Sequence, residues 1–82
     1  MKPKKIIIES LGWYGVLAIL SAYALISFLV IEPDSWQYQL LNISGSIGII
    51  VSSVSKRDYQ PVVLNVAWLL IAVVALFGVI LL

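Results

Sequence analysis

The chain has 82 residues, of which 62% are hydrophobic and 11% are charged, whereas about 25% of the residues of a soluble domain are charged. Its formal net charge of +1 gives no basis for nucleic-acid binding, and the absence of cysteine and histidine excludes disulfides, thiol chemistry, the usual zinc sites and histidine catalysis. A soluble domain this short buries only about 60% of its unfolded surface. Many apolar side chains of this chain would therefore be exposed to water unless lipid surrounds them. The composition therefore predicts a protein surrounded by a lipid bilayer, with no cofactor and no metal site.

The first predicted membrane span is the apolar run 11–31, which follows a basic tail with Lys2, Lys4 and Lys5. At about 1.5 Å per residue this run covers roughly 30 Å, the hydrocarbon thickness of a bilayer. The apolar core of a signal peptide has only about 7 to 15 residues, so we expect a span that is retained. Glu9 lies one helical turn after Lys5, and we expect these two side chains to pair near the lipid headgroups.

Two further spans follow, each after a short polar turn. Residues 32–35 contain a proline and two acids, and Asp34 is the expected N-cap of a second span over 36–54. Residues 55–58 form a turn short enough for a tight hairpin, and the third span covers 61–81. The predicted fold class is therefore all-α, with three antiparallel transmembrane helices.

The basic residues set the expected orientation of these helices. All 5 lysines and arginines lie either before the first span or in the turn with Lys56 and Arg57, while the other turn has Glu32 and Asp34 and no basic residue. Because basic segments stay on the cytoplasmic side, we expect the amino terminus inside and the carboxyl terminus outside. The whole chain, residues 1–82, would form one multi-pass membrane domain.

Small residues recur three or four positions apart on each predicted helix, and such faces let helices approach closely in a membrane. We expect them to form helix-packing seams, and we expect self-association, with a dimer favoured, through the Gly and Ser face of span two or the face that carries Asn65. The predicted packing residues are Ala18 and Ala22 in span one, Ser44, Gly48 and Ser52 in span two, and Ala72 and Ala75 in span three.

Four residues within the spans are candidates for binding a substrate: Tyr23, Asn42, Asn65 and Trp68. Counted from the turns, Tyr23 and Asn42 both lie roughly 10 Å from the outer face and could meet, while Asn65 and Trp68 lie toward the inner half. These groups could form hydrogen bonds that hold the helices together, or they could line a neutral pocket for a hydroxyl-rich or amide-bearing solute. The spans contain no central acid or base and no nucleophile beside a base, so the sequence predicts no enzyme and no catalytic residue.

Three short motifs follow one another between residues 12 and about 75: Leu11-Gly12-Trp13-Tyr14-Gly15 with Tyr23, Tyr38-Gln39-Leu40-Leu41-Asn42 with Gly45, and Leu64-Asn65 with Trp68. In these motifs the chain resembles the CBU-type family of small, uncharacterised bacterial proteins with three membrane helices. That resemblance implies a multi-pass protein of the bacterial inner membrane. It implies no particular activity.

The chain is more distantly similar to half-size sugar transporters of the SemiSWEET type, which work as dimers of three-helix units. That likeness implies a solute pocket at a two-fold axis, with Asn65 and Trp68 as its polar lining. The proline-glutamine hinge of span one in that family has no counterpart here, since Gln60 and Pro61 stand in reversed order at the start of span three.

Two functions from different classes therefore stay open. The first is a structural or accessory membrane protein whose polar side chains hold its helices together and which could serve a larger membrane protein partner. The alternative is a homo-oligomeric transporter for a small neutral solute. They differ in what Tyr23, Asn42 and Asn65 do, because only a transporter needs these groups to contact a solute.

Overall fold

A computed structural model describes residues 3–81, which fold into three α-helices: α1 (Pro3–Ser27), α2 (Trp36–Ser55) and α3 (Tyr59–Leu81). The predicted all-α fold is confirmed. By length and composition, α1 and α3 are apolar enough to cross a membrane. The 20-residue α2 is long enough but more polar, because it contains two glutamines, an asparagine and several serines. Lys2 of the predicted basic tail lies outside the described residues.

The middle helix organises the other two. Helix α1 and helix α3 each pack along α2, and within residues 3–81 they do not pack against each other. The three helices therefore form a layer that is open on one side, rather than a closed bundle. The polar α2 lies between the two more apolar helices.

Helix α1 begins and ends earlier than the predicted span 11–31. The amide of Val30 donates to the Leu25 carbonyl at 2.8 Å and the amide of Leu29 donates to the Ile26 carbonyl at 3.1 Å, which is the Schellman arrangement that closes a helix. Leu29 adopts the left-handed conformation that this motif requires, with φ 61°. The sequence does not mark this end, because glycine usually occupies that position.

Helix α2 begins and ends with local hydrogen bonds of the same kind. Its N-cap is Ser35, whose hydroxyl accepts from the Tyr38 amide at 3.3 Å, so the expected cap at Asp34 is wrong by one residue. At the other end the Asp58 amide donates to the Ser53 carbonyl at 3.0 Å, and Arg57 takes the left-handed conformation with φ 56°. These hydrogen bonds set where α2 begins and ends, and therefore bound the connections 28–35 and 56–58.

The interface between α1 and α2 is built from residues without bulky side chains. A Cβ atom added to Gly15 would collide with the Gly45 carbonyl, and one added to Gly45 would lie 2.9 Å from Ile19 Cγ1 and 3.2 Å from Ala18 Cβ. Only glycine allows the two backbones to lie this close. The approach places the small-residue face of α2 directly on α1.

Candidate functional site

The side chains that could act on a ligand lie along α2, which presents a different face to each neighbour. Gly45, Gly48 and Ser52 lie on the face that contacts α1. A second buried stripe contains Gln39, Asn42, Ser46 and Ser53, and its contact with α3 is made through Asn42. Both stripes follow the spacing of three to four residues that keeps side chains on one helical face.

The clearest polar contact between helices joins α2 to α3. The indole Nε1–H of Trp68 donates to the side-chain oxygen of Asn42 at 3.4 Å, and Asn42 is only 3% exposed. The sequence analysis placed these two residues in separate layers, one outer and one inner. The long indole ring bridges that difference in depth, so the two layers are linked.

Tyr23 does not join this contact. Its side chain is 67% exposed and forms no hydrogen bond within the described residues, so the expected meeting with Asn42 does not occur. The depth estimate did not consider direction: Ala22, one residue earlier and about 100° around the helix, faces the interior and is fully buried. Tyr23 therefore points away from α2.

Another tyrosine of α1 makes a hydrogen bond to α2, with a different partner from the one expected for Tyr23. The hydroxyls of Tyr14 and Ser44 lie 2.8 Å apart and link α1 to α2. From the sequence, Ser44 was predicted only as a packing residue, and Tyr14 was not among the binding candidates. The signal was available, because Tyr14 lies four residues before Ala18 and thus on the same side of α1 as the packing seam.

Asn65 is buried, at 6% exposed, but its amide group stays within its own helix. The Nδ2 atom donates to the Pro61 carbonyl at 2.8 Å, one turn earlier in α3. The structure thus brings together Asn42 and Trp68 among the four predicted binding residues. Asn65 and Tyr23 lie apart from that pair.

The predicted packing residues face the interior of the same chain. Ala18, Ala22, Gly48, Ser52 and Ala72 are buried, and Ser44 and Ala75 are half-buried. A Cβ atom at Gly48 would collide with the Leu11 carbonyl of α1. The Gly and Ser face of α2 is therefore in contact with α1 of the same chain, and self-association stays a prediction.

Near the turn between α2 and α3, Glu9 forms an ion pair that differs from the one expected with Lys5. Glu9 pairs with Lys56, with 3.4 Å between Oε1 and Nζ, and not with Lys5. The pair ties α1 to the turn between α2 and α3. Both side chains are about half exposed, so this contact stabilises the fold by less than about 1 kcal/mol.

Among residues 3–81 no group of three or more acidic, histidine or cysteine side chains is placed to hold a metal ion. One protein-family model matches residues 8–81, which is nearly the whole chain. No curated protein and no solved structure matches the chain. The family match therefore covers α2, α3 and α1 from residue 8 onward, together with the polar contacts between them.

Proposed function

The chain belongs to the CBU-type family of small three-helix proteins, and we propose that it is an integral membrane protein with a structural or accessory role. In this proposal all three helices cross the bacterial inner membrane, and the polar side chains of α2 fix how α1 and α3 pack on it. The amino terminus and the turn with Lys56 face the cytoplasm, and the turn with Glu32 faces outward.

The distribution of side chains supports the membrane location. Among residues 3–81 the buried hydrophobic residues are only alanines, whereas large apolar side chains are exposed; Leu17 is 60% exposed, Ile71 67% and Phe77 59%. A water-soluble domain buries such side chains, because their exposure to water is unfavourable. In the apolar parts of α1 and α3 only 17% and 11% of the residues are buried, which distinguishes both helices from the core helix of a soluble protein.

The position of α2 supports its crossing the membrane with the other two. Its amide and hydroxyl groups would be costly in contact with lipid, and those of Asn42 and Ser44 form hydrogen bonds with α3 and α1 instead. The charges support the orientation. The described basic residues, Lys4, Lys5, Lys56 and Arg57, lie at one end of the helices, and the turn at the other end has only Glu32 and Asp34.

The observation that carries the accessory role is the hydrogen bond between Trp68 and Asn42. It engages two of the four residues that a transporter would need for its solute, and it does so between helices of one chain. In a membrane such bonds contribute about 0.6 kcal/mol each. The polar groups therefore act as helix-packing contacts.

The proposal is tested by a double-mutant cycle on this pair. Trp68→Phe removes the donor and Asn42→Ala removes the acceptor, and we expect a coupling free energy of about 0.6 kcal/mol between the two changes. The measurement is unfolding in mixed detergent micelles followed by circular dichroism. Tyr23→Phe is the matched control, because that hydroxyl has no partner within the described residues, and it should leave stability unchanged.

The same variants separate the two function classes in proteoliposomes. We expect uptake of small neutral solutes by the unmodified protein to equal that of empty liposomes. Uptake that exceeds this background, and that Asn42→Ala abolishes at a normal protein level, would contradict the accessory role and establish the transporter. A transporter would also need a second copy, so native mass spectrometry in lipid nanodiscs would then have to find a dimer.

A further inference from the structure

Because α1 and α3 do not contact each other within residues 3–81, a groove lies between them above α2. At the end with Lys56 it widens into a cavity of about 460 Å³. Its floor is Ile49, Ser52 and Ser53 of α2, and its walls include Trp13 and Val16 of α1 and Pro61 of α3. We call this space the inner groove.

The floor of the inner groove carries two hydroxyls that the fold does not use. Ser52 is 6% exposed and Ser53 is 8% exposed, and neither hydroxyl has a hydrogen-bond partner within residues 3–81. Both residues line the cavity. The two hydroxyl oxygens are not sealed inside the fold, so they are free to donate to a polar ligand in the cavity that accepts hydrogen bonds.

The mouth of the inner groove is basic. It is bounded by the ion pair of Glu9 and Lys56, and these two residues also line an adjoining cavity of about 340 Å³ with Lys4 and Lys5. Glu9 is the only acid around either cavity in the described chain, and it is already paired. Lys4 and Lys5 add two further positive charges, so the mouth of the groove has a net positive charge.

We infer that the inner groove binds an anionic phospholipid, with the phosphate at the Ser52 and Ser53 hydroxyls and the lysines and one acyl chain along Trp13, Val16 and Ile49. The cavity joins a polar floor and a basic mouth to an apolar wall, and an anionic lipid has the same two parts. Basic pockets between membrane helices on the cytoplasmic side recognise such headgroups. This inference rests on the proposed membrane location.

The test is lipid retention measured by native mass spectrometry on the purified full chain. The protein is exposed in detergent to equal amounts of phosphatidylglycerol and phosphatidylethanolamine with identical acyl chains. We expect about a tenfold preference for phosphatidylglycerol adducts, since only that lipid has a net negative charge. We expect the double variant Ser52→Ala with Ser53→Ala to reduce this preference at least fivefold.

The double variant should fold normally, because neither hydroxyl has a partner in the protein, and circular dichroism checks this. The matched control is Ser21→Ala with Ser27→Ala, since both serines are exposed on α1, and it should keep the full preference. Equal retention of the two lipids, or a preference that survives in the double variant, would overturn the inference. Lys56→Gln is a second test of the same site, and it should lower the preference for phosphatidylglycerol at least threefold.

Two further measurements separate this site from its alternatives. If inorganic phosphate alone displaces the lipid and protects the protein against heat, the groove holds a soluble anion and the lipid assignment is wrong. Extraction of native membranes with alkaline carbonate tests the membrane location itself. A protein released by carbonate would contradict the proposed function, whereas a retained protein without lipid preference would contradict only this inference.

Discussion

At the residue scale, one hydroxyl among the described residues is both inaccessible to solvent and without a hydrogen-bond partner. Ser46 is fully buried, and its hydroxyl has no hydrogen-bond partner among residues 3–81. It lies one turn after Asn42, the residue that bonds Trp68. An unsatisfied buried hydroxyl costs about 1–3 kcal/mol, so Ser46 lowers the stability of the helix that organises the fold.

We therefore expect Ser46→Ala to raise the free energy of unfolding by about 1 kcal/mol, because alanine fills a similar volume without an unpaired polar group. Detergent-induced unfolding followed by circular dichroism measures the change. Ser21→Ala is the control, since this serine is exposed, and it should change stability by less than about 0.5 kcal/mol. A loss of stability in Ser46→Ala would show that the hydroxyl has a partner.

At the scale of the helices, close backbone approach is what joins α1 to α2. Gly48 lies against the Leu11 carbonyl, and a Cβ atom there would also lie 3.5 Å from the Gly15 Cα atom. These neighbours are backbone atoms, which cannot move aside as a side chain does. Gly78 in α3 is different, because a Cβ atom there would meet nothing within 4 Å.

This difference gives a matched pair of variants with the same chemical change. We expect Gly48→Ala to lower the free energy of unfolding by about 1–3 kcal/mol, since α1 must shift away from α2. Gly78→Ala should be neutral or stabilising by up to about 1 kcal/mol, because alanine favours the helix. The same unfolding assay measures both, and equal effects of the two changes would rule out close packing at Gly48.

At the scale of the whole molecule, the charges and the order of the helices together predict an orientation for the proposed membrane location. The two turns lie at opposite ends of the layer, and each has an exposed aspartate, Asp34 and Asp58. The chain has no cysteine, so a single introduced thiol reports on one turn alone. Asp34→Cys and Asp58→Cys remove the same charge and differ only in the turn they mark.

We expect a membrane-impermeant maleimide to label Asp34→Cys in intact spheroplasts and to label Asp58→Cys only after the membrane is opened. The physical reason is the basic character of the turn with Lys56, which keeps it on the cytoplasmic side. The reverse pattern would contradict the orientation. Labelling of both thiols in a soluble fraction would contradict the membrane location.

The sequence was sufficient for the helix count, the turn between α2 and α3 and the small-residue seams, because these depend on local composition and helical periodicity. Ala18, Ala22 and Gly48 were predicted as packing residues from spacing alone, and all three are buried. The end of α1 was less accurate, since Leu29 takes a left-handed conformation that its side chain does not predict.

Which polar groups meet could not be read from the chain. Depth along a helix follows from counting residues, but direction around it and the reach of a side chain depend on how neighbouring helices pack. For this reason the side chain of Tyr23 points away from Asn42, and Trp68 reaches Asn42 across the two expected layers. Tertiary packing also decides two other features, the ion pair of Glu9 with Lys56 and the groove between α1 and α3. Neither could be predicted, because both depend on how α1 and α3 are placed along α2.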